Sequence, residues 1–361
     1  MIKSFHIQNY RNLKSVSVNE LTRVNLLVGL NNVGKTSFLE AVNLYTSKNP
    51  SRIIDNILER RGMSFRRINR DDKLDIVFDI LTSFFYKKTP YIYENEGIVL
   101  YDSEKEKLTI ALEKISAFDK KNSNQLSLNQ LAFDDEMDRI RDFSKYGLSF
   151  RHGEKSNFYP LKEYPILNNV SNLNFETQSI FVSSNNTSYR ELGRYWDKNI
   201  YLTDKEFDVI NALKIIEPNI EKIGFKGDIT RSVEIKLIGD NQLYNLNDMG
   251  DGMNRILSII ISMIFAENGT LLIDEFENGL HYTAQYQLWE MIFTLALKLN
   301  VQVFVSTHSS DCIKSFENIL NNGFSNNGKV LRLENKKGNI MVQEFDSKEM
   351  EIVAQNDVEI R

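Results

Sequence analysis

Disulfide chemistry is excluded first: a single cysteine, Cys312, stands in 361 residues, so no internal disulfide can form. A membrane-spanning run is missing too. The longest apolar stretch, Ile256 to Ala266, is bounded by Arg255 and Glu267 and interrupted by Ser258 and Ser262, too short to cross a bilayer and suited to a buried core helix. No secretory pattern opens the chain, because Met1-Ile2-Lys3-Ser4-Phe5-His6 runs directly into alternation. A soluble cytoplasmic protein with no membrane partner is the expectation. Positive charge is not in excess either, and the formal net charge of −5 provides no overall attraction to nucleic acid. A local basic patch stays compatible with that balance, so DNA remains an alternative partner. Sustained heptads are absent, which argues against long coiled-coil arms.

One stretch supplies what these absences leave open. The apolar run Val24-Asn25-Leu26-Leu27-Val28 leads into Gly29-Leu30-Asn31-Asn32-Val33-Gly34-Lys35-Thr36 and then Ser37-Phe38-Leu39-Glu40-Ala41-Val42. Strand, glycine loop and helix start follow one another in the phosphate-binding P-loop pattern, matched at every fixed position. Gly29 and Gly34 permit backbone angles that let successive amides face one anion, backed by the positive end of the helix. Asn31, Asn32, Val33, Gly34, Lys35, Thr36 and Ser37 are therefore candidate nucleotide-binding residues. Lys35 is expected to reach the β and γ phosphates of ATP, and Thr36 to hold Mg²⁺. A glycine-rich turn between a strand and a helix is the plainer reading, but it does not require the full pattern.

Complementary chemistry lies in the second half. Thr270-Leu271-Leu272-Ile273-Asp274-Glu275 is an apolar strand ending in two acids, the arrangement in which Asp274 completes the Mg²⁺ shell and Glu275 positions or deprotonates water. Val301-Gln302-Val303-Phe304-Val305-Ser306-Thr307-His308-Ser309 is a second such strand, and His308 at its end can hydrogen-bond a γ phosphate or the attacking water. His6 and His152 read as structural. Gly250-Asp251-Gly252, opening the apolar helix from Met253, offers another set of amides for an anion, with Gly250 and Gly252 as candidates.

The rest of the chain reads more coarsely. Ile2 to Leu21 alternates as a strand pair, and helices are expected to about Thr46 and again through Ile53, Ile54, Ile57 and Leu58 up to Gly62. Arg60, Arg61, Arg66, Arg67 and Arg70 form the densest basic cluster, a solvated helix end and loop or else a phosphate-backbone or partner contact. Lys73 to Ile115 reads as antiparallel strands: Leu74–Ile80, Ile98–Tyr101 and Leu108–Leu112. Lys120 to Asn174 reads as loops with a short helix near Glu136 to Phe143. Beyond it come a strand over Gln178–Val182, a helix near Tyr189–Trp196, and a helix whose Phe207, Ile210, Leu213 and Ile216 are spaced to pack into the core. Val330–Leu333 and Ile340–Val342 are the last expected strands.

Together, the P-loop, Asp274-Glu275, the His308 segment and the Gly250 turn resemble ABC-type ATPase heads related to RecF and SMC proteins, and within them the AAA/OLD-like ATPases. Ile7-Gln8-Asn9-Tyr10-Arg11-Asn12-Leu13 resembles that group's opening strand, Gly29-Leu30-Asn31 its form of the P-loop, Asp274 to His281 its Walker B and D-loop, and Ser306 to Ser309 its switch histidine. The resemblance implies an α/β ABC-type P-loop head with a mixed core sheet, an antiparallel β subdomain and a helical insertion. It assigns residues 1–60 and 225–361 to two halves of the nucleotide-binding core and 62–224 to the insertion. It implies nucleotide contact by Arg11, Gly250 and Gly252, and a homodimer or higher oligomer clamping two ATP molecules between the P-loop of one subunit and the signature turn of the other. Two departures stand out: Gly250-Asp251-Gly252 replaces the expected Ser-Gly-Gly, and Tyr282 replaces a frequent proline. They fall on the contact between subunits and on turnover, not on nucleotide binding.

OLD-type relatives carry a nuclease domain after the ATPase, and this sequence offers no acidic cluster assignable to metal-dependent DNA cleavage. The resemblance extends to stand-alone ATPases of bacterial antiviral systems, which act with a separate effector protein, a nuclease or toxin. A DNA-repair ATPase of RecF character and a slowly hydrolysing nucleotide-gated scaffold are the alternatives.

Overall fold

The segments Val24–Val28, Thr270–Ile273 and Gln302–Ser306 are buried at every residue, the pattern of parallel strands covered on both faces. The computed structural model describes residues 1–47, 49–63, 74–88, 97–114, 146–161, 179–184, 187–227 and 231–355. In chain order they form β1 (Phe5–Tyr10), β2 (Leu13–Val18), β3 (Val24–Val28), α1 (Lys35–Thr46), α2 (Pro50–Arg60), α3 (Leu74–Thr82), β4 (Ile98–Tyr101), β5 (Leu108–Lys114), β6 (Tyr146–His152), β7 (Lys155–Pro160) and β8 (Ser179–Val182). There follow α4 (Tyr189–Asn199), α5 (Lys205–Leu213), β9 (Ile220–Lys226), β10 (Ser232–Leu237), β11 (Leu243–Asn245), α6 (Asp251–Phe265), β12 (Thr270–Ile273), α7 (Tyr282–Lys298), β13 (Gln302–Ser306), α8 (Ser310–Ile319), β14 (Gly328–Lys336), β15 (Asn339–Phe345) and α9 (Ser347–Gln355).

Two compact units result: residues 1–3, 18–48 and 177–361 form the first, 4–17 and 49–176 the second. The first is built on a six-stranded sheet in the order β15-β14-β3-β13-β12-β8. Its five strands from β14 to β8 run parallel and β15 is antiparallel at one edge, so the sheet is mixed as expected. A parallel strand pair needs a crossover, and the apolar helices α1, α6 and α7 supply the cover. Helix α6 buries Met253 to Ile264 without interruption, which explains the long apolar run in the sequence. Trp289 of α7 stacks on Phe276 at 4.3 Å and meets Phe316 of α8 edge-on at 4.9 Å, fastening these helices together. A small antiparallel sheet, β11-β10-β9, completes this unit.

The second unit carries a sheet in the order β2-β1-β4-β5-β6-β7, in which β4 pairs antiparallel with β1 and the run β4-β5-β6-β7 is antiparallel throughout. The expected α/β class, mixed core sheet and antiparallel sheet are thus all present.

Three readings need correction. Leu74–Ile80 is helical, not a strand: Val77, Phe78 and Leu81 form one buried helical face while Ile76 is exposed, so tertiary packing overrides β-branched alternation. Residues 146–161, read as loop, form the β6–β7 hairpin, in which Leu148 and Phe150 are buried. In α5 the buried face is Val209, Ala212 and Leu213, whereas Phe207 is 66% exposed and Ile216 39% exposed. Arg66, Arg67 and Arg70 and the helix expected over Glu136–Phe143 lie outside the described residues. Among the described residues, no helix is long and apolar enough to cross a membrane.

Candidate functional site

Parallel strands present their C-terminal ends along one edge, and polar segments leaving adjacent strands meet there. In the first unit β3, β13 and β12 are neighbours, so the loop after β3, the turn after β13 and the acids after β12 converge. The loop after β3 is shaped by its glycines. Gly29 has φ +139° and a side chain there would place Cβ 2.4 Å from the Leu333 carbonyl oxygen, while Gly34, at φ +97°, forms the N-cap of α1. Asn31 and Asn32 are exposed on the loop, Val33 is buried beneath it, and Lys35, Thr36 and Ser37 form the first turn of α1.

Lys35 is nearly enclosed, 5% exposed. Its ammonium donates to the carbonyls of Gly29 at 2.6 Å and Leu30 at 3.0 Å and approaches His308 Nδ1 at 3.1 Å. A charged Lys35 makes Nδ1 the acceptor and leaves the imidazole proton on Nε2. Burial pushes the Lys35 ammonium down to about 8, opposed by the charges of Asp274, Glu277 and Glu275. Thr36 donates through Oγ1 to Asp274, at 3.0 Å to Oδ2 and 3.2 Å to Oδ1. Lys35 with His308 and Thr36 with Asp274 thus form two bonded pairs, joined through the Lys35–Thr36 peptide at the start of α1.

The acids leave β12 along a strained path, with Glu275 at φ +50°. Ser306, at the end of β13, fixes that path: its hydroxyl donates to Asp274 Oδ1 at 2.5 Å and accepts from the Glu275 amide at 2.9 Å. Arg255 fixes it from the other side. Its buried guanidinium donates to the carbonyls of Ser183 at 2.6 Å, Asp274 at 2.7 Å and Glu275 at 2.8 Å. Burial pulls Arg255 down to about 10, opposed by Asp274, Glu277 and Glu275. The Glu275 carboxylate itself makes no hydrogen bond or ion pair among the described residues, so it remains available to a water or a substrate oxygen.

Gly250, with φ +93°, is the N-cap of α6, and Gly252 follows in the first helical turn. A Cβ on Gly252 would lie 3.1 Å from the Gly279 carbonyl, so this turn packs closely on the loop that follows Glu275. Tyr189 supports the turn from α4. Its hydroxyl sits between the Oδ1 atoms of Asn247, 2.6 Å away, and Asn254, and burial pushes that hydroxyl up to about 12. Arg11 belongs to the second unit, on the turn between β1 and β2, with its guanidinium 4.5 Å above the Phe84 ring.

Sequence reasoning did not single out Arg255, Glu277 or Ser306. A lone arginine opening an apolar helix was the available signal for the first; nothing in the local pattern distinguished the other two. Oxygen-only donors such as Thr36 and Asp274 suit Mg²⁺, which is usually held by one or two carboxylates together with substrate phosphates. Among the described residues there is no cluster of three or more His, Cys, Asp or Glu side chains that would form a metal cage without phosphate.

Residues 24–311 match the family described as "AAA domain, putative AbiEii toxin, Type IV TA system". A Helicobacter pylori protein named ATP/GTP phosphatase is 22% identical over 384 residues, covering 99% of this chain and 99% of its own length. An uncharacterized protein of Methanocaldococcus jannaschii is 34% identical over 67 residues, 17% of this chain and 31% of its own. Among solved structures, the SMC head bound to the C-winged helix domain of ScpA is 12% identical with a TM-score of 0.49, covering 96% of this chain and 97% of that one. The SMC head domain from Thermotoga maritima is 10% identical with a TM-score of 0.43, covering 96% and 99%.

Proposed function

The chain belongs to this AAA family, and from that premise we propose that it is an ABC-type head that binds and hydrolyses ATP, dimerises around the nucleotide and controls a separate effector protein in bacterial antiviral defence. The observation that carries the catalytic part is the convergence of Lys35, Thr36, Asp274 and His308 at the ends of β3, β12 and β13. Lys35 leaves its loop carbonyls for the β and γ phosphates, a move favoured because phosphate oxygens restore the charge compensation that burial denies it. Glu275 orients and deprotonates the attacking water, and His308 hydrogen-bonds the γ phosphate or that water. Thr36 and Asp274 hold Mg²⁺, which when bound neutralises charge on the transferring phosphoryl group. Asn31, Asn32, Val33, Gly34 and Ser37 line the phosphate loop.

The whole-length relative named ATP/GTP phosphatase supports the hydrolytic part, and extends it to GTP as a second substrate to test. The family's description, with its reference to a toxin and a type IV toxin–antitoxin system, supports an output in defence. The homodimer rests on the Gly250–Gly252 turn serving the partner's nucleotide. Gly250-Asp251-Gly252 stands where Ser-Gly-Gly is expected, and that altered turn makes a slowly hydrolysing nucleotide-gated scaffold the second reading.

The test is hydrolysis of ATP and GTP by the purified protein with and without double-stranded DNA, alongside a native pull-down. DNA-independent turnover with a co-purifying effector is expected. Strong stimulation by DNA overturns the defence reading in favour of repair, and stable ATP-bound dimers without turnover favour the scaffold.

A further inference from the structure

One carboxylate ties the loop after β12 to the turn after β13, and the roles proposed above do not use it. Glu277 Oε2 accepts from the Thr307 hydroxyl at 2.7 Å, and Oε1 accepts from the His308 backbone amide at 2.7 Å. The same Thr307 hydroxyl accepts from the Ser309 amide at 3.0 Å, and Ser309 caps α8. The Glu277 carboxylate therefore grips the short turn that carries the imidazole through short, charge-assisted bonds. Thr307 is fully buried, so the grip is shielded from competing water.

We propose that Glu277 is the positioning residue for His308, fixing the backbone from which the imidazole reaches the phosphates. This inference rests on the reading that His308 acts on ATP. Glu277 also lies two residues before Gly279, where an added Cβ would stand 3.2 Å from Asp251 Cβ in the signature turn. The loop that follows Glu275 thus packs beside the Gly250–Gly252 turn and, through Glu277, holds the turn that carries His308.

The test compares full-length Glu277→Ala, Glu277→Gln, His308→Ala and the Glu277→Ala/His308→Ala double variant in steady-state hydrolysis and nucleotide binding. Misplacing His308 predicts that Glu277→Ala lowers kcat by about 10- to 100-fold while nucleotide Kd changes by less than about threefold. Glu277→Gln keeps an oxygen for the His308 amide and a hydrogen-bonding group for Thr307, and it restores most of kcat. The double variant falls no further than His308→Ala, because the two act in one chain. Unchanged kcat in Glu277→Ala, or additive losses in the double variant, overturns the inference while leaving the role of His308 intact. Full activity in His308→Ala overturns the reading of His308 itself and the inference with it. Should Glu277→Ala fail to fold, Glu277→Leu takes its place in the same cycle: a loss of kcat that is not additive with His308→Ala supports the proposal, and an unchanged kcat or an additive loss overturns it.

Discussion

Two clusters of buried charge, one in each unit, solve the same problem differently. In the second unit Glu113 accepts from Arg151 through both carboxylate oxygens, at 2.5 and 2.7 Å, and from Ser149 at 2.5 Å. Opposite charges meet in bidentate geometry, and the pair is electrostatically closed. In the first unit, Lys35 and Arg255 face Asp274, Glu275 and Glu277, and neither cation forms an ion pair with them. Lys35 rests on loop carbonyls and an imidazole, Arg255 on backbone carbonyls. The carboxylates are left to a threonine, a serine, a backbone amide or nothing. A closed pair specifies the fold, whereas separated charges held by neutral groups are available to a ligand that brings its own charge.

That contrast is broken most severely by removing Lys35. Lys35→Ala is expected to lower kcat/KM for ATP by about 10³-fold and to abolish measurable nucleotide binding, with the fold intact by circular dichroism. Glu275→Gln is expected to keep ATP affinity within a few-fold while kcat falls by about 10²-fold, leaving a long-lived ATP-bound dimer visible by size-exclusion chromatography. Unchanged hydrolysis in that variant removes Glu275 from the catalytic step. The closed pair is expected to respond in the opposite sense. Arg151→Ala removes both Arg151 hydrogen bonds from the Glu113 carboxylate and costs about 2 kcal/mol in urea unfolding, with ATP turnover per folded molecule unchanged.

The same division separates what was legible in the sequence from what was not. The P-loop, Asp274-Glu275 and His308 were legible because each follows an apolar strand, and the chemistry fixes both residue type and spacing. The parallel sheet that brings them together was implied by those strands. Leu74–Ile80 misled because its β-branched residues suit a strand as well as a helix, and only the burial of Val77, Phe78 and Leu81 decides between them. Phe207 misled because helical spacing marks a face without saying that the face is covered. Arg255, Ser306 and Glu277 escaped notice for a different reason. Their partners are mostly backbone groups and neighbours across the sheet, 19 to 72 residues away in sequence, and no local pattern encodes such contacts.

The smallest expected effect is also the most direct probe of the open cluster. Burial holds the free Lys35 ammonium at about 8, well below an ordinary lysine. Phosphate oxygens placed beside it stabilise the charged form, so its pKa is higher in the complex than in the free protein. Between those two values the complex holds more protons than the free protein, and binding takes up a proton. The Lys35 contribution to nucleotide affinity should therefore be fully present well below pH 8 and weaken by less than about tenfold for each unit that pH rises above about 8. Titration calorimetry at pH 8.5 in buffers of different ionisation enthalpy reads the proton uptake directly. An uptake near zero at pH 8.5 means that Lys35 keeps one protonation state whether or not phosphate is present. In that case burial does not leave its charge under-compensated, and the contrast with the closed Glu113–Arg151 pair rests on geometry alone.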